Sequence, residues 1–185
     1  WPDTEPSRSV RYLHNSIYYI RKSLEGYNIC PNMVKIAGSY SMVLSDAVEV
    51  DYDLYERLYS KPDKSLSDLE QLFDLLRHDF MEGEDWSWAL LQREILQKRC
   101  VEVAIRLSRL YVQAEEYTKA ESVLRTAYLK DPYEEHTVEV LLRFYIESGQ
   151  KAAALRLYEE YEYMMRHELG VSPEESIRRL VETLY

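Results

Sequence analysis

Five apolar residues near the start of the chain, Val10, Leu13, Ile17, Ile20 and Leu24, recur at alternating spacings of three and four. That period puts them on one stripe of an α-helix. The helix is predicted from Pro6, which suits a first turn, with Thr4 as its cap and Gly26 as its end. The pattern then changes. Ile29-Cys30-Pro31-Asn32 reads as a turn, and Met33–Ile36 and Tyr40–Leu44 read as two short strands. Ala37-Gly38-Ser39 is the predicted hairpin turn between them, and Ser45-Asp46 closes the unit. Beyond Val50 the helical period returns almost to the end. Helices are predicted at 51–60, 66–78, 85–114, 117–130, 134–148, 151–168 and 174–184. Pro62, Gly83, Pro132, Gly149 and Pro173 fall in the gaps, where breakers belong. Ser67 and Glu70 have the spacing of a capping box for the second of these helices.

The helical part repeats itself. Leu110-Tyr111 recurs as Phe144-Tyr145, and Ala120 recurs as Ala154, each 34 residues on. In the first copy Leu107, Tyr111, Ala120, Leu124, Ala127 and Pro132 follow the tetratricopeptide pattern of large and small residues. Ala120 and Ala127 allow two helices to approach closely, while Tyr111 and Leu124 fill the space around them. The second copy has Leu141, Tyr145, Ala154 and Tyr158, with Tyr161 where a small residue is expected. An unrelated antiparallel helical array is the competing reading of the same pattern.

Composition narrows the picture. Five glycines and six prolines in 185 residues favour long helices over a turn-rich β fold. No apolar run reaches 18 residues, so no membrane span is expected. No signal peptide is visible, and the two lone thiols, Cys30 and Cys100, point to a reducing compartment, the cytoplasm. The chain opens at Trp1 and reads as a piece of a longer protein. Net charge is −10, yet residues 1–50 balance at zero and residues 51–185 carry all of it. Between Arg8 and Ile36 there are five basic residues and one acid. Any contact with nucleic acid therefore belongs to the first segment, because the acidic remainder repels phosphate.

No catalytic constellation is legible. His167-Glu168 begins a zinc-protease motif, but position 171 is Val171 and the second histidine is missing. There is no glycine-rich phosphate loop, and His14, His78, His136 and His167 are scattered. Glu82, Glu84 and Asp85 read as a solvated helix start. Trp86 and Trp88 read as core rather than as a binding cage. Neither an enzyme nor a cofactor is expected.

The first helix is more informative. On a wheel of about 100° per residue, the apolar stripe centres on Ile17. The opposite face carries Arg8, Arg11, Tyr12, Asn15, Tyr19 and Lys22, with Arg21 at the rim. Such a face offers phosphate contacts and base-edge hydrogen bonds together. The hairpin that follows adds Lys35, placed to reach a nucleic-acid backbone. A basic face can also serve solubility alone.

The run Leu13-His14-Asn15-Ser16-Ile17-Tyr18-Tyr19-Ile20-Arg21-Lys22-Ser23-Leu24 resembles the recognition helix of OmpR-type winged-helix regulators. Val34-Lys35-Ile36 and Gly38-Ser39-Tyr40-Ser41-Met42 are similar to the wing. Val50-Asp51-Tyr52-Asp53-Leu54-Tyr55, Asp79 to Trp86 with Arg93, Ala154 to Glu159, and Glu168 to Pro173 resemble successive motifs of the bacterial transcriptional activator domain. The resemblance implies a mainly α fold: a tetratricopeptide-like helical array preceded by a truncated winged-helix remnant, recognition helix plus wing. Residues 1–48 would be the end of the winged helix and 49–185 the activator domain. It implies a transcription regulator of the SARP type, or a two-component response regulator with the same output module. Ser16, Tyr19 and Arg21 are the residues it carries over as DNA contacts. Such regulators commonly have arginine where Tyr19 stands, so base preference does not carry over.

The expected partners are promoter DNA, RNA polymerase subunits and a second copy of the chain, with no membrane. A helical-repeat module that binds a peptide or ligand without DNA is the alternative. Because the resemblance implies missing leading helices, the stripe on the first helix needs another cover. The hairpin residues Val34, Ile36 and Met42, the helical domain or a second chain are the candidates.

Overall fold

The computed structural model describes residues 5–27, 29, 32–36, 38–45 and 48–184. The chain divides into two compact units, 1–54 and 55–185.

The first unit is a helix followed by a hairpin. Helix α1 spans Pro6–Glu25, with Pro6 in the first turn and no side-chain cap from Glu5. Thr4, the predicted cap, lies outside the described residues, as do Cys30, Pro31, Ala37 and Asp46 of the predicted turns. The apolar stripe is only partly covered. Ile17 is buried, and Leu13 and Leu24 are half-buried, but Val10 is 53% exposed and Ile20 42%. Of the proposed covers, Val34 is half-buried and Met42 is exposed. Strands β1 (Asn32–Ile36) and β2 (Ser39–Val43) pair antiparallel, Asn32 opposite Val43 and Ile36 opposite Ser39. Ser39 therefore belongs to the ladder rather than to the turn, and Leu44 falls outside it. The tighter turn needs a left-handed backbone at Gly38, whose φ is +89°, a conformation that glycine adopts without strain.

The second unit is an array of helices. Helix α2 (Asp51–Tyr59) runs into it, followed by α3 (Leu66–Leu76), α4 (Ser87–Gln113), α5 (Tyr117–Lys130), α6 (Glu135–Glu147), α7 (Lys151–Met164) and α8 (Glu175–Glu182). A single π turn, Met165–Leu169, continues α7 and ends at left-handed Gly170. The capping box of α3 is made by Ser65 and Asp68, not by Ser67 and Glu70. Ser65 has the extended backbone a cap requires, whereas Ser67 already lies within the helix. Asp68 Oδ2 accepts from the Ser65 amide at 2.9 Å, Ser65 Oγ accepts from the Asp68 amide at 3.1 Å, and Lys61 Nζ reaches Asp68 Oδ1 at 2.6 Å.

The repeat forms the core of this unit. Tyr111, Ala120, Leu124 and Ala127 are buried where α4 meets α5, and Leu141, Tyr145 and Ala154 are buried where α6 meets α7. Tyr158, predicted to join them, is only half-buried, and its hydroxyl donates to Glu162 at 3.3 Å. Tyr161 takes the inner place although it is large. It is fully buried, and its hydroxyl donates to Glu135 at 3.3 Å across the α6–α7 pair. Among the described residues no helix is long and apolar enough to cross a membrane.

Trp86 and Trp88 are not core. They are 43% and 61% exposed, while Ala89 of the same turn is fully buried. Helix α4 begins only at Ser87, so its first turn sends the small residue inward and the indoles out.

Candidate nucleic-acid interface

A helix of 20 residues is about 30 Å long at 1.5 Å per residue. Along that length α1 exposes Arg8, Arg11, Tyr12, Asn15, Tyr19, Arg21 and Lys22. Ser16 is half-buried at the edge of the face, and Lys35 is exposed on β1. Six of these nine candidates, Arg8, Arg11, Tyr12, Asn15, Tyr19 and Lys22, lie opposite Ile17, the buried residue that fixes which side of α1 turns inward. Among the described residues the side chains of Arg8, Arg11, Arg21 and Lys22 have no hydrogen-bond or ion-pair partner. Tyr18 and Tyr19 meet edge-on, with ring centroids 5.5 Å apart.

The hairpin is tied to the helix through one tyrosine. The Tyr40 hydroxyl lies 3.0 Å from His14 Nε2, and the two rings meet edge-on at 6.2 Å. Tyr40 stands opposite Lys35 in the ladder, and Lys35 Nζ sits 5.3 Å from the centre of its ring. One aromatic side chain thus fixes both the attachment of the wing and the direction of its cation. Sequence reading missed His14 and Tyr40 as positioning residues. The wing motif contained Tyr40, but nothing in the pattern paired it with a residue 26 positions earlier.

In the second unit a hollow of about 490 Å³ opens beside α4. Val101 and Ile105 form its apolar floor, with Lys98, Glu102 and Arg109 along the same helix and His136 from α6. The Glu102 carboxylate accepts from Tyr59 at 3.2 Å. Lys98 and Arg109 have no side-chain partner among the described residues. No group of three or more His, Cys, Asp or Glu residues is placed to hold a metal ion among the described residues.

Between α3 and α4 the chain is organised by Arg93. Its guanidinium donates to the carbonyls of Phe80 at 2.7 Å and Met81 at 2.6 Å, and to that of Glu84. A planar fork with five donors suits three converging carbonyls, reached here from Nε and Nη2.

No curated protein matches the chain. Among solved structures, it is similar to Mycobacterium tuberculosis EmbR in complex with a low affinity phosphopeptide, with a TM-score of 0.57 and 18% identity. That match covers 100% of this chain and 52% of the other, so the chain spans about half the length of the structure it resembles. At this identity the likeness is one of fold alone. The family model of the bacterial transcriptional activator domain matches residues 50–185, from the residue before α2 onward. With more than half of its length covered by that model, the chain belongs to the bacterial transcriptional activator domain family.

Proposed function

We propose that this chain is the output region of a transcription regulator, of the SARP type or in a two-component response regulator, acting in the cytoplasm and without catalysis. In this reading α1 enters the major groove of promoter DNA and the β1–β2 hairpin tracks the backbone. Arg8, Arg11, Arg21, Lys22 and Lys35 hold phosphates. Tyr12, Asn15, Ser16 and Tyr19 face base edges. Residues 1–48 are the DNA-contacting part, and 49–185 form the activator domain, which mediates self-association or contacts to RNA polymerase. The observation that carries the reading is the basic face of α1, whose cations Arg8, Arg11, Arg21 and Lys22 have no partner among the described residues, followed at once by a hairpin, in a chain of this family.

Fluorescence anisotropy of the full chain on duplex DNA at several salt concentrations tests it. Five phosphate contacts would give log K against log salt a slope of about −4 to −5. Tyr19→Ala with Arg21→Ala should weaken binding. Equal binding by the double variant and the parent would remove α1 from the interface.

A second reading is a peptide-binding helical repeat. It is favoured by the hollow beside α4, whose three lining acids are all hydrogen-bonded, Glu102 to the Tyr59 hydroxyl, Asp131 to the Tyr133 amide and Glu134 to the Thr137 amide, while among the described residues the side chains of Lys98 and Arg109 are not. Binding there would depend on Lys98 and Arg109 and be indifferent to Tyr19 and Arg21.

A further inference from the structure

The first turn of α4 displays side chains that a helical array ordinarily covers. Trp86 and Trp88 stack, with ring centroids 5.4 Å apart and planes inclined by 25°. Phe80 meets Trp88 edge-on at 6.2 Å. Met81, Leu90 and Leu91 are exposed around them. Arg93 pins the backbone of this loop at three carbonyls, and the positive φ of Met81 (+52°) and Gly83 (+84°) lets it fold around the guanidinium. The indole pair is thus presented on a braced loop. Concentrated exposed apolar surface of this kind marks an interaction site, and tryptophan is among the residues that carry most binding energy at interfaces.

The charge around the pair says what fits it. Residues 79–94 contain five acids and one base. The base is Arg93, already engaged with carbonyls, and Asp79 is paired with Lys130. The side chains of Glu82, Glu84, Asp85 and Glu94 have no hydrogen-bond or ion-pair partner among the described residues. Among the described residues the cations that sit over rings lie over tyrosines, not over either indole. A second copy that packed this patch against its own would set like carboxylates against one another, and DNA phosphates would be repelled in the same way. A guanidinium or ammonium is the complement of both features, because it can lie over an indole face and pair with a carboxylate beside it.

We propose that the Trp86–Trp88 platform docks a basic segment of a partner protein, one carrying arginine or lysine beside an apolar anchor. The site stands on the helical unit alone and does not depend on DNA binding by α1.

The test uses the full chain carrying Trp1→Phe, so that Trp86 and Trp88 are the only indoles. The probe is a synthetic peptide of Arg-Leu-Arg-Ala repeats, with a Glu-Leu-Glu-Ala peptide as control. The basic peptide should change indole emission saturably, and the acidic peptide should not. Trp88→Ala, and separately the triple change Glu82→Gln, Glu84→Gln and Asp85→Asn, should each weaken binding about tenfold, equivalent to about 1.4 kcal/mol. Glu159→Gln with Glu160→Gln, which removes two acids elsewhere, should leave it unchanged. Circular dichroism confirms that each variant is folded. The proposal is overturned if the basic peptide leaves emission unchanged or the acidic peptide binds equally. It is equally overturned if the Glu159 and Glu160 changes weaken binding as much as those at the platform. Sedimentation covers the other occupant: a dimer that Trp88→Ala dissolves would make the platform a self-association surface instead.

Discussion

His14 Nε2 and the Tyr40 hydroxyl lie 3.0 Å apart, so the middle of α1 and the start of β2 are joined by one side-chain hydrogen bond. The same tyrosine ring lies under Lys35. Helix and wing are therefore coupled through a group that carries no charge of its own.

Tyr40→Phe keeps the ring and removes the hydroxyl. The bond is worth about 0.5–1.5 kcal/mol, and the lower end applies because His14 is exposed. DNA affinity should fall about twofold with an unchanged salt slope, since no phosphate contact is lost. Lys35→Ala should instead reduce the slope by about one unit. Anisotropy titrations at several salt concentrations separate the two, and a slope change in Tyr40→Phe would contradict the positioning role.

Ala120 is fully buried where α5 packs on α4. Ala120→Leu adds volume that the close approach cannot accept and should cost about 1–3 kcal/mol. The melting temperature should drop accordingly. A melting temperature equal to that of the parent would mean that this helix pair does not depend on a small residue there.

Asp68 is held well below the usual carboxylate range, at about 2, by the hydrogen bond from Lys61 and then by that from the Ser65 amide. A depressed pKa means that the folded state favours the ionised form. Its contribution is complete above the unfolded value near 3.8 and is lost as pH falls towards 2. Urea unfolding between about pH 5 and pH 2 should show a smaller acid-induced loss for Asp68→Asn than for the parent. Parallel curves would assign the acid sensitivity elsewhere. Ser65→Ala removes the other half of the box and should cost about 0.5–2 kcal/mol at neutral pH.

Cys100 is buried in α4, and burial pushes its thiol up to about 11. The thiolate is the reactive form, so Cys100 should resist a disulfide reagent at pH 8 until the protein unfolds. A Cys30→Ser background isolates the signal. Rapid labelling of the native protein would show that α4 opens locally.

Parts of the candidate site were readable from the chain and parts were not. The cationic face of α1 follows from helical period alone, because the wheel that puts Ile17 inward must put Arg8, Arg11 and Lys22 outward. The His14–Tyr40 bond does not follow, since it requires β2 to return alongside the helix. Ser67 and Glu70 have the spacing of a capping box, yet Ser65 and Asp68, separated by the same three positions, make it. Only the backbone decides between them, since a cap must be extended and Ser65 is. Tryptophan identity likewise cannot say whether anything covers it, and the late start of α4 left Trp86 and Trp88 in water.

The sequence by itself determined the order of helices, the hairpin, the repeat pairs and the separation of a neutral, locally basic segment from an acidic one. These are set by apolar period, by glycine and proline in the gaps and by charge count, all properties of neighbouring residues. The tertiary structure decided which large residues are covered. Tyr161 goes in, its hydroxyl accepted by Glu135 on the preceding helix α6, Tyr158 stays half out, and the indole pair stands exposed on a loop that Arg93 gathers. Burial and side-chain pairing depend on which residues distant in sequence the fold brings within a few ångströms, and no local pattern carries that information.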